Sequence, residues 1–314
     1  MAKTKQKAPK GKKIVTISLA PRRVTRDSGA TLRLGPAMTP GAAQAAQPMS
    51  FAQLSDASED AIHYITAGET HQGTREYQQD AYYVSNSASA RRGDSTGVFG
   101  ILCDGMGGME RGGEASSIVV DELSKELGAL AQETEIAEFF KENIRKMDRM
   151  LAGRFGDGVT GTTLVAAVVV EDRLYWCSVG DSRVYLLRAG EIVQVTRDHN
   201  YHLQLMEKAD AGEITVVEAD THPDREALIS FIGSGRADLI DANSEPFHLE
   251  NGDVILLCSD GLNKSLSDAE IGKLVFNSPG SLVDIARQLI RTSIDIDMNA
   301  KDNTTVVLIR YVSN

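Results

Sequence analysis

The chain has 314 residues, 42% of them hydrophobic, with 33 Lys and Arg against 44 Asp and Glu, enough for one large domain or two small ones with a buried core. The charge is uneven: residues 1–50 carry ten Lys/Arg and one acid, Asp27, leaving 23 basic and 43 acidic side chains in the other 264 positions. An acidic body excludes nucleic acid as the main ligand, because such binding is driven by cations neutralising phosphates, and no run of about 18 apolar residues offers a membrane span.

Residues 1–60 are rich in Lys, Ala, Gln, Pro and Ser with little hydrophobic periodicity, the composition of a segment that cannot offset its ordering entropy. They read as a flexible basic extension, either an electrostatic tether to an anionic partner or a solvated tail. The apolar residues at 14–20 are interrupted by Thr16 and Ser18 and lack a following cleavage site, so a secretory signal is not expected.

Residues 61–314 read as one domain. Strands are expected at 82–84 and 98–103, then two amphipathic helices: 114–130 spaces Ile118, Val119, Leu123, Leu127 and Leu130 helically, and 136–151 does so with Phe139, Phe140, Ile144, Met147 and Leu151. Short-turn strands follow at 162–170, 174–179, 184–187 and 192–195, which implies antiparallel pairing. A helix at 201–209 and a late one opening at Pro279, with Ser278 as its N-cap, complete the pattern. Helices around a strand-rich middle indicate an α+β fold. Cys103, Cys177 and Cys258 all lie in apolar strand-like runs and read as small buried hydrophobes in a reducing compartment.

Three carboxylates carry the chemistry. Asp104 ends the run 98–103 and opens Gly105-Met106-Gly107-Gly108; Asp260 repeats the arrangement with Gly261-Leu262 after 254–259; Asp302 stands just before the strand-like 304–309. Strand-edge aspartates suit hard cations such as Mg²⁺ or Mn²⁺, which take oxygen ligands and retain waters. Asp80 and Asp181 are candidates for the same neighbourhood. Two cations about 3.5–4 Å apart can lower the pKa of a shared water and stabilise in-line displacement at phosphorus, and the planar fork of Arg75 suits a substrate phosphate.

With these residues in place, the chain resembles the metal-dependent Ser/Thr protein phosphatases of the PPM or type 2C family in their compact bacterial form. The resemblance runs from about Gly73 to Val312 through Arg75 to Asp80, the Asp-Gly-Met-Gly-Gly segment at 104–108, Gly161-Thr162-Thr163, Gly180-Asp181-Ser182-Arg183, Thr196-Arg197-Asp198-His199, Ile232-Gly233, Ser259 to Leu262 and Asp302-Asn303, in the family's order. It implies an αββα sandwich of two antiparallel sheets between helical layers. It implies that Asp104, Asp260 and Asp302 are metal ligands, that the Gly105 carbonyl serves the second metal, and that Asp80 positions a metal-bound water. Asp181, with Asp260, matches the site of a third, weaker ion, and the segment between Asp198 and Ile232 matches a flap bordering the site. The implied activity is hydrolysis of phosphoserine and phosphothreonine in proteins through a metal-bridging water, without a covalent intermediate. The implied partners are phosphoproteins served by a Ser/Thr kinase, with Mn²⁺ or Mg²⁺ as cofactor and a cytoplasmic monomer as the acting species in signalling. Two positions depart from the family: Gln78-Gln79-Asp80 stands where many relatives have Asn-Glu-Asp, and Met106 stands where animal relatives carry a histidine.

Other chemistries fit less well. Cys177 and Arg183 have the Cys-x₅-Arg spacing of thiol phosphatases, but strand-like residues follow Arg183 where a helix start is needed. No Gly-Lys-Ser/Thr follows Gly105 to make a nucleotide loop, and the six histidines show no zinc spacing. The competing class is a pseudophosphatase that binds phosphoproteins without turnover, which metal-dependent hydrolysis would separate from the enzyme.

Overall fold

A computed structural model of the chain describes residues 33–34, 61–93, 96–107, 111–128, 135–296 and 302–314. The basic extension expected at 1–60 therefore lies outside the described residues, save the two-residue strand β1 (Arg33–Leu34), which runs parallel to Thr96–Gly97. Gly108 and Leu130 also lie outside them.

The first sheet is built on β5 (Thr96–Met106), flanked by β3 (Asp80–Val84) and β7 (Leu164–Val170), with β8 (Arg173–Val179) beyond β7. Short β6 (Gly161–Thr162) also pairs with β5, and β11 (Asp241–Ala242) and β12 (Phe247–His248) pair with β8. The second sheet runs β10 (Glu191–Gln194), β9 (Arg183–Arg188), β13 (Val254–Cys258), β14 (Thr304–Ser313), β2 (Ala61–His71), β4 (Ala88–Arg91). Apart from β1, the described pairings of named strands are antiparallel.

Period-two alternation sorts the apolar side chains into layers. On β7, Leu164, Ala166, Val168 and Val170 pack with Phe140, Ile144 and Leu151 of helix α2 (Ile136–Phe155) and with Val119, Leu123 and Leu127 of helix α1 (Arg111–Gly128). The alternate residues Val165, Ala167 and Val169 face the other sheet, meeting Ile255, Leu257, Val307 and Ile309. On β13 and β14, Val254, Leu256, Val306 and Leu308 turn outward to Ile271 and Val275 of α6 (Asp268–Asn277) and to Ile285 and Leu289 of α7 (Leu282–Ile296). Helix, sheet, sheet, helix is the expected αββα order. The remaining helices are short: α3 (Tyr201–Asp210) and α4 (Val216–Asp220) in the segment read as a flap, and α5 (Asp260–Asn263) directly after β13.

Several elements differ from the sequence reading. Strand β2, an inner strand between β14 and β4, was not expected, because Ala61–His71 mixes Thr, Gly and Glu into its alternation. The strand expected at 162–170 breaks at Thr163, which separates β6 from β7. The late helix does not open at Pro279: Ser278 is the C-cap of α6. Ser281 closes the start of α7 instead, its N–H donating to Asp284 Oδ2 at 2.9 Å and its hydroxyl accepting from the Asp284 N–H at 3.3 Å.

Candidate active site

Each expected carboxylate sits where a strand of one or the other sheet begins or ends. Asp80 opens β3 and stands opposite Asp104 in the β3–β5 ladder. Asp181 lies in the turn from β8 to β9, so it stands where the chain crosses between the sheets. Asp260 follows β13 as the first residue of α5, and Asp302 precedes β14. The last two are locked together behind the site, since a Cβ on Gly261 would run into the Asn303 carbonyl.

Backbone and hydroxyl groups fix this framework. The Asp104 carbonyl accepts from the Thr163 N–H and the Thr162 hydroxyl, both at 2.9 Å, while the Asp104 N–H donates to Thr163 Oγ1 at 3.0 Å. Gly105 donates its N–H to the Gln79 carbonyl at 3.0 Å. Any Cβ at Gly105 would lie against the Gly112 carbonyl and 2.6 Å from that of Gln79, so only glycine admits the approach of the three backbones. Asn303 ties the segment before β3 to Asp302: its Oδ1 accepts from the Gln79 N–H at 2.8 Å, and its Nδ2 donates to the carbonyls of Gln72 (2.7 Å) and Tyr77 (3.1 Å).

Asp80 is 8% exposed. Its Oδ2 accepts from Ser259 Oγ at 2.8 Å and Thr305 Oγ1 at 2.7 Å, whereas Oδ1 is buried without a hydrogen-bond partner. Gln78, one of the departures from the family, has a defined part: its Oε1 accepts from the Asp80 N–H at 3.0 Å and its Nε2 donates to Thr70 Oγ1 at 2.9 Å. Thr70 and Thr305 hydroxyls are 2.7 Å apart. Because the Thr305 proton goes to Asp80, Thr70 is the donor in that pair.

The carboxylates crowd one another. Burial pushes the Asp80 carboxyl up to about 7, against the Thr305 and Ser259 hydrogen bonds and with help from the charges of Asp260 and Asp302. Burial also raises Asp104 well above the usual carboxylate range, and Asp80, Asp260, Asp181 and Asp302 add to the effect. Asp181 reaches about 7, first through burial and then through Asp260. All five sequence-derived aspartates are thus brought into one electrostatic neighbourhood.

Two side-chain cations enter it. Arg75, 61% exposed, donates Nε to Asp302 Oδ1 at 2.9 Å and Nη2 to Oδ2 at 2.7 Å. Lys264 donates to Asp260 Oδ2. Burial opposes the ammonium, but Asp260, Asp181 and Asp302 hold its pKa above the ordinary lysine value. Lys264 was not singled out from the sequence; its spacing of four from Asp260 was the available signal. Among the described residues no three His, Cys, Asp or Glu side chains are grouped as ligands of one ion, and two of the aspartates are engaged by these cations. The donor set nevertheless suits a hard cation: it is all oxygen, and the buried oxygens Asp80 Oδ1 and Asp260 Oδ1 have no partner.

The rim beside Asp181 is equally ordered. Gly180, at φ 100°, donates its N–H to Nδ1 of the buried His199 at 3.2 Å, and His199 Nε2 lies 3.2 Å from Asp241 Oδ2. Arg183 grips Asp198 through Nε (2.9 Å) and Nη2 (2.6 Å). Cys177, in mid-strand on β8, is fully buried, and burial pushes its thiol far up. The thiol-phosphatase reading thus lacks both a thiolate and a free arginine.

A protein-family model described as Protein phosphatase 2C matches residues 67–300. The chain is 32% identical over 216 residues to a serine/threonine phosphatase, stp, of Listeria welshimeri, covering 67% of this chain and 82% of that one. Its fold is similar to the Streptococcus agalactiae serine/threonine phosphatase, with TM-score 0.67 and 28% identity over 80% of this chain and all of that one. It is also similar to the catalytic domain of the serine threonine protein phosphatase PstP in complex with two manganese ions, with TM-score 0.64 and 27% identity over 80% of this chain and 100% of that one.

Proposed function

The chain belongs to the protein phosphatase 2C family and is a serine/threonine protein phosphatase, and we propose that it hydrolyses phosphoserine and phosphothreonine by direct attack of water on phosphorus. The P–O bond to the side-chain oxygen breaks as the P–O bond to water forms, and no phosphoenzyme intervenes. The observation that carries this reading is the meeting of Asp80, Asp104, Asp181, Asp260 and Asp302, from the strand ends of two sheets, around buried carboxylate oxygens that lack partners.

Asp104, Asp260, Asp302 and the Gly105 carbonyl would hold two Mn²⁺ or Mg²⁺ ions, with Asp80 beside them. When bound, the ions would supply Lewis-acid activation of water and neutralise charge on the phosphoryl oxygens. The third, weaker ion expected at Asp181 and Asp260 would have to share Asp260 with the Lys264 ammonium. Asp80, held by Ser259 and Thr305 through one oxygen, keeps the other to accept from a water proton and so orients the nucleophile. Arg75 would bind the substrate phosphate, for which a phosphoryl dianion must compete with Asp302 for the same fork. Met106 carries no transferable proton, so the leaving alkoxide would take its proton from water or another group. The substrates would be phosphoproteins made by a Ser/Thr kinase, and the acting species a cytoplasmic monomer. Among the described residues no helix is long and apolar enough to cross a membrane.

Hydrolysis of p-nitrophenyl phosphate by the purified chain, with Mn²⁺, with EDTA and with Asp260→Asn, tests the proposal. Manganese-dependent turnover lost in both other arms is the expected result. A folded chain that binds phosphopeptide but turns nothing over would identify a pseudophosphatase instead.

A further inference from the structure

We infer that Lys264 is a built-in cation of the catalytic centre: its ammonium takes the place beside Asp260 and Asp181 that a third metal ion would otherwise fill, so this chain loads two divalent cations. The inference rests on the two-ion reading of the site given above.

The placement follows from the backbone. Helix α5 is a single turn, and Lys264 is its C-cap in a right-handed conformation, with its N–H donating to the Asp260 carbonyl at 2.9 Å. Residues four apart share one helix face, so the lysine stem lies along Asp260 and delivers Nζ to Oδ2. The two oxygens of Asp260 therefore face different tasks. Oδ1 is buried, lacks a partner and stays open to an ion shared with the other inner aspartates, while Oδ2 is committed to the lysine.

Charge balance favours the same division. Asp181 is opposed by Asp260 and eased by Lys264, and the ammonium in turn feels Asp260, Asp181 and Asp302 together. Asp198, a further acid acting on Asp181, is already held by Arg183. A tethered ammonium thus neutralises an acidic pair that would otherwise recruit a divalent ion. An ion seeking Asp260 Oδ2 must displace Lys264 or sit against a like charge. The tether makes the lysine's effective concentration high, so a weakly bound ion competes poorly.

Metal stoichiometry on the full chain tests this. Equilibrium dialysis against Mn²⁺, with bound metal counted by atomic emission, is expected to level off at two ions for wild type. Lys264→Met keeps the stem and removes the charge, and it is expected to gain a third, weaker ion that Asp181→Asn in the same background removes. Circular dichroism establishes that each variant is folded. Three ions in wild type, or two in folded Lys264→Met, would overturn the inference and leave the two-ion reading standing. A folded wild type that binds no Mn²⁺ would overturn both.

Discussion

Gln78 and Asp80 are joined twice. The Asp80 N–H donates to Gln78 Oε1, and Gln78 Nε2 returns to the Asp80 carboxylate through the hydroxyls of Thr70 and Thr305. The glutamine spans both contacts because it is one methylene longer than asparagine. Groups that orient a ligand-shell carboxylate typically change metal affinity or activity about 10–100-fold when removed. Gln78→Ala is therefore expected to lower kcat at fixed Mn²⁺ by at least about tenfold, with the fold retained. Steady-state kinetics with a melting curve checks this; wild-type kcat would remove Gln78 from the machinery.

Protons and cations should compete at the site. Asp80 and Asp181 both titrate near 7 in the metal-free fold, against an ordinary value of 3.8. The folded chain then binds more protons than the unfolded one between those values, so stability falls as pH rises through that window. The melting temperature in EDTA should be higher at pH 5.5 than at 7.5, and the slope should shrink in Asp181→Asn. Asp241 does not interfere. Burial raises its pKa, but the close approach of His199 and the bonds from Arg197 outweigh this and hold it at about 2; its contribution is present above the ordinary carboxylate value and is lost only as pH falls toward 2. Added Mn²⁺ should raise the melting temperature more at pH 7.5 than at 5.5, since a cation reverses the field at these carboxyls. An equal rise at both values would contradict the proton competition.

Asp148 of α2 is 3% exposed and gathers the loop that follows the flap segment. Its Oδ1 accepts from the N–H groups of Gly233 (2.8 Å) and Gly235 (3.1 Å), and its Oδ2 from that of Ala237 (3.1 Å). Asp148→Ala would strand the Gly233 and Ala237 donors in the interior. Unmet buried donors cost about 1–3 kcal/mol each before relaxation, so a loss of about 3 kcal/mol or more is expected in urea unfolding. A change below about 0.5 kcal/mol, the scale of an ordinary surface substitution, would show that the loop does not depend on this clamp.

Arg75→Ala should raise KM for a phosphopeptide by roughly ten- to hundredfold, the equivalent of about 1.5–3 kcal/mol for a hydrogen bond to a charged group. Arg75→Lys should recover only part of the loss, because an ammonium cannot reproduce the two-pronged geometry. A fall in kcat with KM unchanged would assign the arginine to another task.

The α+β class and the strand-edge aspartates could be read from the sequence because each depends on local pattern: α1 and α2 space their apolar residues helically, and Asp104 and Asp260 end apolar runs at a glycine, whereas the αββα layer order came only with the family resemblance. Contacts formed between distant segments left no such trace. The bonds of Gln78 to Thr70 and of Asp148 to Gly233 cross 8 and 85 positions, and nothing at either end marks the partner. Lys264 was hidden differently: a lysine after a glycine-bearing turn looks like ordinary surface charge, and its side chain is indeed 51% exposed, until the single turn of α5 is known to bring its ammonium to Asp260. Strand β2 was masked because an inner strand can carry Thr and Gly once its neighbours complete its packing.

Asp80 and Asp104 belong to one sheet, and Asp260 and Asp302 border strands of the other. Ions held by Asp104 on one side and by Asp260 and Asp302 on the other would rivet the two halves of the sandwich at one end, so shear between the sheets and loss of the ions become a single event. Pulled apart along that seam, the domain should yield at a force that depends on the manganese concentration, and its catalytic centre would double as its clasp.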